Sequence, residues 1–431
     1  MFKRYLLRKL SRYVRLYFEK HPDVILVAVT GSVGKASAKH AIATVVSHSY
    51  RVAMHDLSPP RSRIDTLLQI LGIHYPGDKK SYAAWFKILR AAKKRTIEPS
   101  DAEVIIQEFS PYSSGSMEWF RGVVRPNICV VTSIQSDHLK AFGSIEKLAS
   151  EILSLANNSR YSIINRDDTE GRFASFITTA SFTTYGTLQA AEYAFEPRSY
   201  SFDSGTTGEF ATPQLPTGWS VTLPAVGETS LHPLVAALTV GITLGMQPQL
   251  LTESIRRVQP LPGRMQVLKG ARGSWLIDNT SRSTAATALA SLQTLYNLEA
   301  PSKVVVIGDI DNGNGVREQE LQSIGSQCNP NELAWVVTVG KMASQHAAPQ
   351  ARLRGNQVKE FYNALDAGAF IRSLLEPGGV VLVESTESDG YVEEVVKLLL
   401  HSSSDHTRLI RQSPADLMAK TQYFNAISST K

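Results

Sequence analysis

A glycine-rich turn near the start of the chain carries the residues best suited to chemistry. Its members are Thr30, Gly31, Ser32, Val33, Gly34, Lys35, Ala36 and Ser37. An apolar run precedes the turn and a helical pattern follows it. In that setting backbone N–H groups converge on phosphate oxygens, and a lysine ammonium reaches the outer phosphates. The full pattern has a glycine where Val29 stands and a hydroxyl residue where Ala36 stands. The turn therefore predicts a phosphate-binding loop that matches the pattern in part.

Alternating strands and helices are predicted to position this loop. Buried apolar runs predict four strands, and longer periodic segments predict two helices. The strands cover residues 24–29, 103–106, 128–131 and 161–164, and the helices cover residues 36–47 and 231–245. Such alternation is typical of a parallel α/β sheet, which binds ligands at the carboxyl ends of its strands. Short alternating runs at residues 178–223 predict a small antiparallel β appendage.

A second alternating series follows a boundary at residues 260–263. Two prolines and a glycine in four residues cannot extend a helix or a central strand. The later predicted strands are residues 275–277, 303–307, 335–339 and 380–383, and the helices are residues 285–296, 364–375 and 392–400. This series predicts a second, Rossmann-like domain. The predicted organisation is a basic amphipathic helix at 1–21, a central phosphate-binding domain at 22–259, the Rossmann-like domain at 260–405 and a polar, loosely packed tail at 406–431.

Positive charge is concentrated at the start of the chain, whose net charge is +6. Residues 1–20 carry seven Lys or Arg residues against Glu19, with aromatic and aliphatic residues at near-helical spacing. Such a helix either makes weak contact with an anionic membrane surface or packs on the first domain with its charges in water. We favour packing. A second basic run at residues 87–95 is interpreted as a solvated helix face, and no nucleic-acid partner is expected.

Cysteine usage and hydropathy indicate the compartment. Cys129 and Cys328 lie in or beside apolar runs, which predicts reduced, buried thiols in a cytoplasmic protein. No apolar stretch approaches the roughly 20 residues that span a bilayer. The N-terminus also lacks the apolar core and cleavage site of a signal peptide.

The glycine-rich turn also carries a family resemblance. The segment VAVTGSVGKASAKHAIATVV, residues 27–46, resembles the ATP-binding loop of the Mur ligases, and most of all that of the MurF branch. Further segments resemble the family in the same order along residues 22–400. They are residues 104–108, 125–146, 162–168, 226–246, 263–265 and 304–311. The ordered set is more specific than any one of its members.

This resemblance implies an ATP-dependent ligase that joins an acid to an amino acid. In the family, ATP converts a substrate carboxylate to an acyl phosphate, and an amine then attacks to form an amide. The implied substrates are a muropeptide or other carboxylate and an amino acid or dipeptide, within peptidoglycan or related peptide synthesis. The resemblance makes Lys35 the phosphate-binding lysine, Glu108 a Mg²⁺ ligand, His138 a metal-linked histidine, and Arg264 and Asp278 nucleotide-binding residues. Lys35, Glu108 and His138 are the implied catalytic residues.

Several positions depart from the family pattern. Ala36 replaces the hydroxyl residue that contacts Mg²⁺ in the family. The family's carbamylated lysine should fall within residues 149–152, where Glu151 is the nearest charge. A carbamate is an anionic oxygen donor, so we expect Glu151 to replace it as a metal ligand. Glu384 stands in place of a late lysine.

For several residues a structural role is the alternative. Glu108 ends a buried strand, where an acid either binds a ligand or serves only the fold. His138 either is linked to a metal or caps a helix beside Asp137. Asp167 and Asp168 are either turn residues or nucleotide contacts.

Three hypotheses follow for the whole chain. The first is a divergent MurF-like ligase. The second is a catalytically degenerate relative that binds nucleotide or a partner without turnover. The third is a polyglutamate-type ligase, because only residues 1–21 precede the first strand and we expect the family's N-terminal UDP-binding domain to be absent.

Overall fold

The chain divides into two compact units in a computed structural model. The model describes residues 2–54, 60–76, 80–135, 142–178, 181–188, 190–281, 283–310, 317–386 and 390–428. The first unit comprises Met1–Tyr200, Ser204–Pro224 and Leu231–Gln259. The second comprises Ser201–Asp203, Ala225–Ser230 and Pro260–Lys431. The change from the first unit to the second thus falls at the proline-rich boundary.

One nine-stranded sheet forms the centre of the first unit. Its strands are β1 (Ile25–Thr30), β2 (Val52–Ala53), β3 (Val104–Glu108), β4 (Ile128–Val131), β5 (Tyr161–Asn165), β6 (Phe182–Gly186), β7 (Tyr193–Ser201), β8 (Gly205–Thr212) and β9 (Leu215–Leu223). They are arranged in the order β2-β3-β1-β4-β5-β6-β7-β8-β9. Strand β1 lies between β3 and β4 and is parallel to both. The loop that follows β1 therefore emerges among the carboxyl ends of three parallel strands.

The predicted β appendage is a continuation of this sheet. Strands β8 and β9 form an antiparallel pair, as predicted. Strand β6 instead pairs in parallel with β5, with Ser162 opposite Phe182. Short alternating runs do not distinguish parallel from antiparallel pairing, because both place successive side chains on opposite faces.

Eight helices accompany the first unit in the described part of the chain. They are α1 (Phe2–Lys20), α2 (Lys35–Val46), α3 (Arg63–Ile70), α4 (Tyr82–Arg95), α5 (Ser116–Arg121), α6 (Ile145–Asn157), α7 (Glu228–Thr243) and α8 (Pro248–Ile255). Helix α1 buries Leu6, Leu10 and Val14 in the main core and contacts α3 and α4. The first helix is therefore packed on its domain, as favoured from the sequence. No helix in the described ranges is long and apolar enough to cross a membrane.

A six-stranded sheet forms the centre of the second unit. Its strands are β10 (Gln266–Lys269), β11 (Trp275–Asn279), β12 (Lys303–Gly308), β13 (Trp335–Val339), β14 (Val358–Phe361) and β15 (Val380–Glu384), in the order β10-β11-β15-β12-β13-β14. Only β10 is antiparallel to its neighbour among the described pairs. The helices are α9 (Ala285–Asn297), α10 (Arg317–Ser326), α11 (Ala348–Leu353), α12 (Ala364–Leu374), α13 (Glu393–Leu399) and α14 (Pro414–Ser428). The predicted α/β architecture with a Rossmann-like second domain is confirmed.

The C-terminal tail is packed more tightly than the sequence predicts. Lys420 on α14 is buried, and its Nζ lies 2.9 Å from Glu393 Oε1 and 2.7 Å from Glu394 Oε1. Arg411 makes a two-pronged contact with the same Glu393 carboxylate. The expectation of a loosely packed tail is therefore wrong for this segment. A polar composition does not show which charges are paired and removed from water.

Removing the buried ammonium should destabilise the second unit. Lys420→Ala leaves the carboxylates of Glu393 and Glu394 buried with one fewer counter-ion, and we expect a loss of about 3 kcal/mol in the free energy of unfolding. Urea denaturation followed by circular dichroism measures the loss. Lys359→Ala, at an exposed lysine of the same unit, is the matched control and should cost less than about 0.5 kcal/mol. Equal stability of the two variants would contradict the structural role of Lys420.

Candidate nucleotide site

The turn between β1 and α2 requires both of its glycines. Gly31 has a φ of 138° and Gly34 a φ of 83°, which are left-handed conformations that favour glycine. A Cβ atom on Gly31 would lie 2.3 Å from Thr132 Oγ1. The loop is therefore pressed against the segment that follows β4, and a side chain at Gly31 would push the two apart.

The segment after β4 also bonds directly to the loop. The Ser32 N–H donates to the Ser133 carbonyl at 3.0 Å, and the Val33 N–H donates to Ser133 Oγ at 2.9 Å. Thr132 Oγ1 donates to the carbonyl of Val33, and Ser32 Oγ donates to the carbonyl of Gln135 at 3.1 Å. Two N–H groups of the predicted phosphate cradle are thus occupied by groups of the chain itself. No local sequence pattern indicates this role of Thr132 and Ser133.

Lys35 folds back over the loop. Its Nζ donates to the carbonyls of Gly31 and Ser32, both at 2.8 Å. Helix α2 begins at Lys35, and its first turn contains no acidic residue and no side-chain cap. The first N–H groups of a helix lack partners within the helix and attract anions. The ammonium and the helix end therefore form a positive site beside the loop, and phosphate binding there stays a prediction.

A buried carboxylate oxygen at the carboxyl end of β3 is suited to a divalent cation. Glu108 is 1% exposed and lies opposite Val29 in the pairing of β3 with β1. Its Oε1 accepts a hydrogen bond from Ser110 at 3.0 Å, whereas its Oε2 has no partner among the described residues. Thr30 Oγ1 is likewise buried without a partner in the described part. Mg²⁺ prefers oxygen ligands and usually binds one or two carboxylates together with water and phosphate.

Glu151, another predicted metal ligand, makes hydrogen bonds within the chain. Both carboxylate oxygens of Glu151 accept N–H groups at the start of α5, from Gly115 and, at 2.9 Å, from Met117. Glu151 therefore serves as a helix cap, and its metal ligation stays a prediction. His138 lies outside the described residues. Within the described ranges no three His, Cys, Asp or Glu side chains converge as a metal cage.

Ala36 and Ser37 continue the loop into α2. Ala36 is buried and Ser37 is half-buried. Ala36 offers only its backbone N–H and has no side-chain oxygen for a cation.

A buried histidine connects the turn after β5 to helix α7. His232 Nδ1 lies 2.9 Å from Asp168 Oδ2, and His232 Nε2 lies 3.1 Å from Asp167 Oδ2. Asn165 and Gln135 also donate to Asp168, so this turn is linked to the segment that clamps the loop. Burial alone would lower the pKa of His232, but the hydrogen bonds and charges of Asp167 and Asp168 outweigh it and raise the pKa to about 9. In this structure Asp167 and Asp168 bind an imidazolium, a contact between residues 65 positions apart that no local pattern indicates.

The second unit places Asp278 in a buried polar cluster. Asp278 accepts hydrogen bonds from the backbone and hydroxyl of Thr280, while its Oδ2 has no partner in the described part. On the next strand, the Glu384 carboxylate accepts from Asn279 and, at 2.6 Å, from Ser283. Burial raises the pKa of Asp278 to about 6 and the pKa of Glu384 to about 7. Glu384 is thus a buried acid integrated into the fold.

Arg264 lies in the same unit as Asp278. It is half-buried and precedes β10, whose Gln266 pairs with Asp278. The two predicted nucleotide-binding residues of this unit are therefore close along one pair of strands. Their nucleotide contacts stay predictions.

The fold and the loop define the class of protein. A parallel sheet presents a glycine loop, a lysine and a buried acid at its carboxyl edge, and residues 29–241 match the Mur ligase middle domain. Residues 29–241 are thus similar to the middle domain of the Mur ligases, and the resemblance seen in the sequence is confirmed.

The chain is also similar to individual ligases over most of its length. The chain is 20% identical over 379 residues to the UDP-N-acetylmuramoyl-tripeptide–D-alanyl-D-alanine ligase of Bacillus subtilis (strain 168), covering 88% of this chain and 76% of that protein. MurF from Acinetobacter baumannii has a similar structure, with a TM-score of 0.70, 17% identity and coverage of 90% and 79%. MurF from Thermotoga maritima in complex with ADP gives a TM-score of 0.67, 15% identity and coverage of 93% and 84%. The solved structures support the fold.

The contact between His232 and the two aspartates should depend on pH. A histidine whose pKa is raised from about 6.5 in the unfolded chain to about 9 stabilises the fold fully below about pH 6.5. That stabilisation is lost as pH rises through about 9. We expect His232→Gln to cost up to about 3 kcal/mol of unfolding free energy at pH 6 and much less at pH 9.5.

Urea denaturation at both pH values measures this difference. His48→Gln is the matched control, because His48 is a half-buried histidine of the same unit with one contact, 3.8 Å from Glu253. A cost of His232→Gln that is the same at both pH values would contradict the charged contact.

Proposed function

We propose that this protein is a MurF-like ligase that uses ATP to join a carboxylate substrate to an amine. The observation that supports this most is the β1–loop–α2 site, with Lys35 beside the loop and the unpartnered oxygen of Glu108 on the adjacent strand. Relatives named as ligases of a UDP-muramoyl tripeptide and D-alanyl-D-alanine indicate the substrate class. We propose a muropeptide carboxylate and a dipeptide as the first pair to test.

The residues at the site suit phosphoryl transfer. This reaction depends on positioning and on neutralising charge more than on covalent chemistry by the protein. The Lys35 ammonium and the end of α2 would face the phosphates, and Glu108 would hold Mg²⁺. The cation, when bound, neutralises phosphate charge. Transfer of the terminal phosphoryl group to the substrate carboxylate gives an acyl phosphate, and the amine then displaces phosphate to form the amide.

We place this reaction in the cytoplasm. The free cysteines Cys129 and Cys328 are both buried, as expected of a protein whose thiols stay reduced. Burial raises the pKa of each thiol to about 12, so neither is suited to act as a nucleophile. The proposed chemistry therefore depends on the loop and its neighbours.

A second candidate is a degenerate relative that binds nucleotide without turnover. It is favoured by Ser133, which occupies two N–H groups of the loop. Ala36 supplies no hydroxyl for a cation, and Glu384 is buried where the family pattern has a lysine. Under this alternative the site binds phosphate but does not complete the amide-forming reaction.

A turnover assay separates the two candidates. We expect the purified protein with Mg²⁺, ATP, UDP-muramoyl tripeptide and D-alanyl-D-alanine to release phosphate, and Lys35→Ala to lower the rate by about 100-fold or more because one stabilising charge is lost. Release of inorganic phosphate and formation of the joined peptide are measured together.

The control is Lys359→Ala, which removes an exposed lysine of the second unit and should leave the rate unchanged. Phosphate release no faster than in Lys35→Ala, across muropeptide and dipeptide substrates, would remove the ligase proposal. If ATP still bound, the degenerate relative would remain.

A further inference from the structure

Helices α1 and α4 lie side by side and run in the same direction. At their first turns the rings of Phe2 and Tyr82 are 4.8 Å apart. Near their last turns Tyr17 Oη lies 2.7 Å from Ser100 Oγ, and His21 Nε2 lies 2.9 Å from the carbonyl of Glu98. Contacts at both ends make the exposed sides of the two helices one continuous surface, which we call the α1/α4 face.

Helix α1 contributes a stripe of arginines to this face. Arg4, Arg8, Arg12 and Arg15 are all exposed, on the side of the helix opposite its buried leucines. None of the four forms an ion pair with a described residue. Like charges four residues apart destabilise a helix. The stripe thus forms no ion pair within the described part of the chain, and Glu19, exposed at its far end, is the one acidic residue of α1.

Helix α4 adds further cations and exposed rings. Its exposed cations are Lys87, Arg90, Lys93, Lys94 and Arg95. Tyr82 is 72% and Phe86 69% exposed, and Tyr5 on α1 is 49% exposed. These rings lie at or near the first turns of the two helices, where Phe2 meets Tyr82. The face therefore combines a positive field with apolar rings at one end.

We propose that the α1/α4 face docks on an anionic lipid bilayer. Lysine and arginine beside a membrane are attracted by acidic headgroups, and aromatic rings insert at the interface while long cationic side chains reach the headgroups. Two parallel helices of 19 and 14 residues present this chemistry along their length. The rings are exposed on the outer surfaces of the helices. This placement suits insertion at a membrane interface better than the stacking of nucleic-acid bases in a groove. The proposal depends on this surface alone and is independent of the nucleotide site.

Vesicle co-sedimentation of the full chain tests the proposal. The protein should sediment with vesicles of phosphatidylcholine and phosphatidylserine (about 3:1) and not with phosphatidylcholine alone, and binding should weaken at high salt. The fourfold variant R4Q/R8Q/R12Q/R15Q should bind at least about tenfold more weakly. Phe86→Ser should also weaken binding while leaving the charge unchanged.

The matched control neutralises four exposed cations elsewhere on the first unit. R121Q/R125Q/K147Q/R160Q changes the net charge by the same amount and should sediment like the wild type. Circular dichroism checks that each variant is folded. The proposal is overturned if the wild type does not bind acidic vesicles, if both fourfold variants lose binding equally, or if the protein binds a short RNA or DNA duplex but not vesicles.

Discussion

The close approach of Gly31 to Thr132 fixes the geometry on which the first unit's site depends. A Cβ atom at Gly31 would lie 2.3 Å from Thr132 Oγ1, so only glycine allows the loop and the segment after β4 to meet. That contact places the loop at the carboxyl end of β1, between β3 and β4. Lys35, which follows the loop, and Glu108, which ends β3, therefore lie at the same carboxyl edge of the sheet.

Acidic residues that stand in for lysines of the family pattern make structural hydrogen bonds in this chain. Glu151 caps α5 with both oxygens, and Glu384 accepts hydrogen bonds from Asn279 and Ser283 within the second unit. A buried carboxylate that loses its donors costs more than the bonds themselves contribute, so such residues resist replacement. The departures from the family are thus integrated into the fold, while the loop and Glu108 keep the groups that phosphate and Mg²⁺ need.

The central strands could be predicted from the sequence, because a strand buried on both faces appears as a continuous apolar run. Residues 128–131 form β4 with the predicted bounds, and the predicted strand at 335–339 is β13. The positions of Lys35 and Glu108 at strand ends could also be predicted, while their roles in binding stay predictions. The contacts of His232 with Asp167 and of Lys420 with Glu394 join residues far apart in sequence, and they depend on how helices pack. The bonding of Ser133 to the loop was not predicted, because a serine after a strand has no sequence pattern that indicates such a contact.

The proposed function depends on binding of nucleotide phosphates at the β1–loop–α2 turn, where Ser133 has to release the Ser32 and Val33 N–H groups. Calorimetric titration of the full chain with ATP, in the presence and absence of Mg²⁺, tests it most directly. We expect the wild type to bind ATP saturably. Lys35→Ala should weaken this binding by at least about tenfold, since a charged hydrogen bond contributes about 1.5–3 kcal/mol. Glu108→Gln should remove the effect of Mg²⁺. Absence of binding, or equal affinity of the wild type and Lys35→Ala, would contradict it.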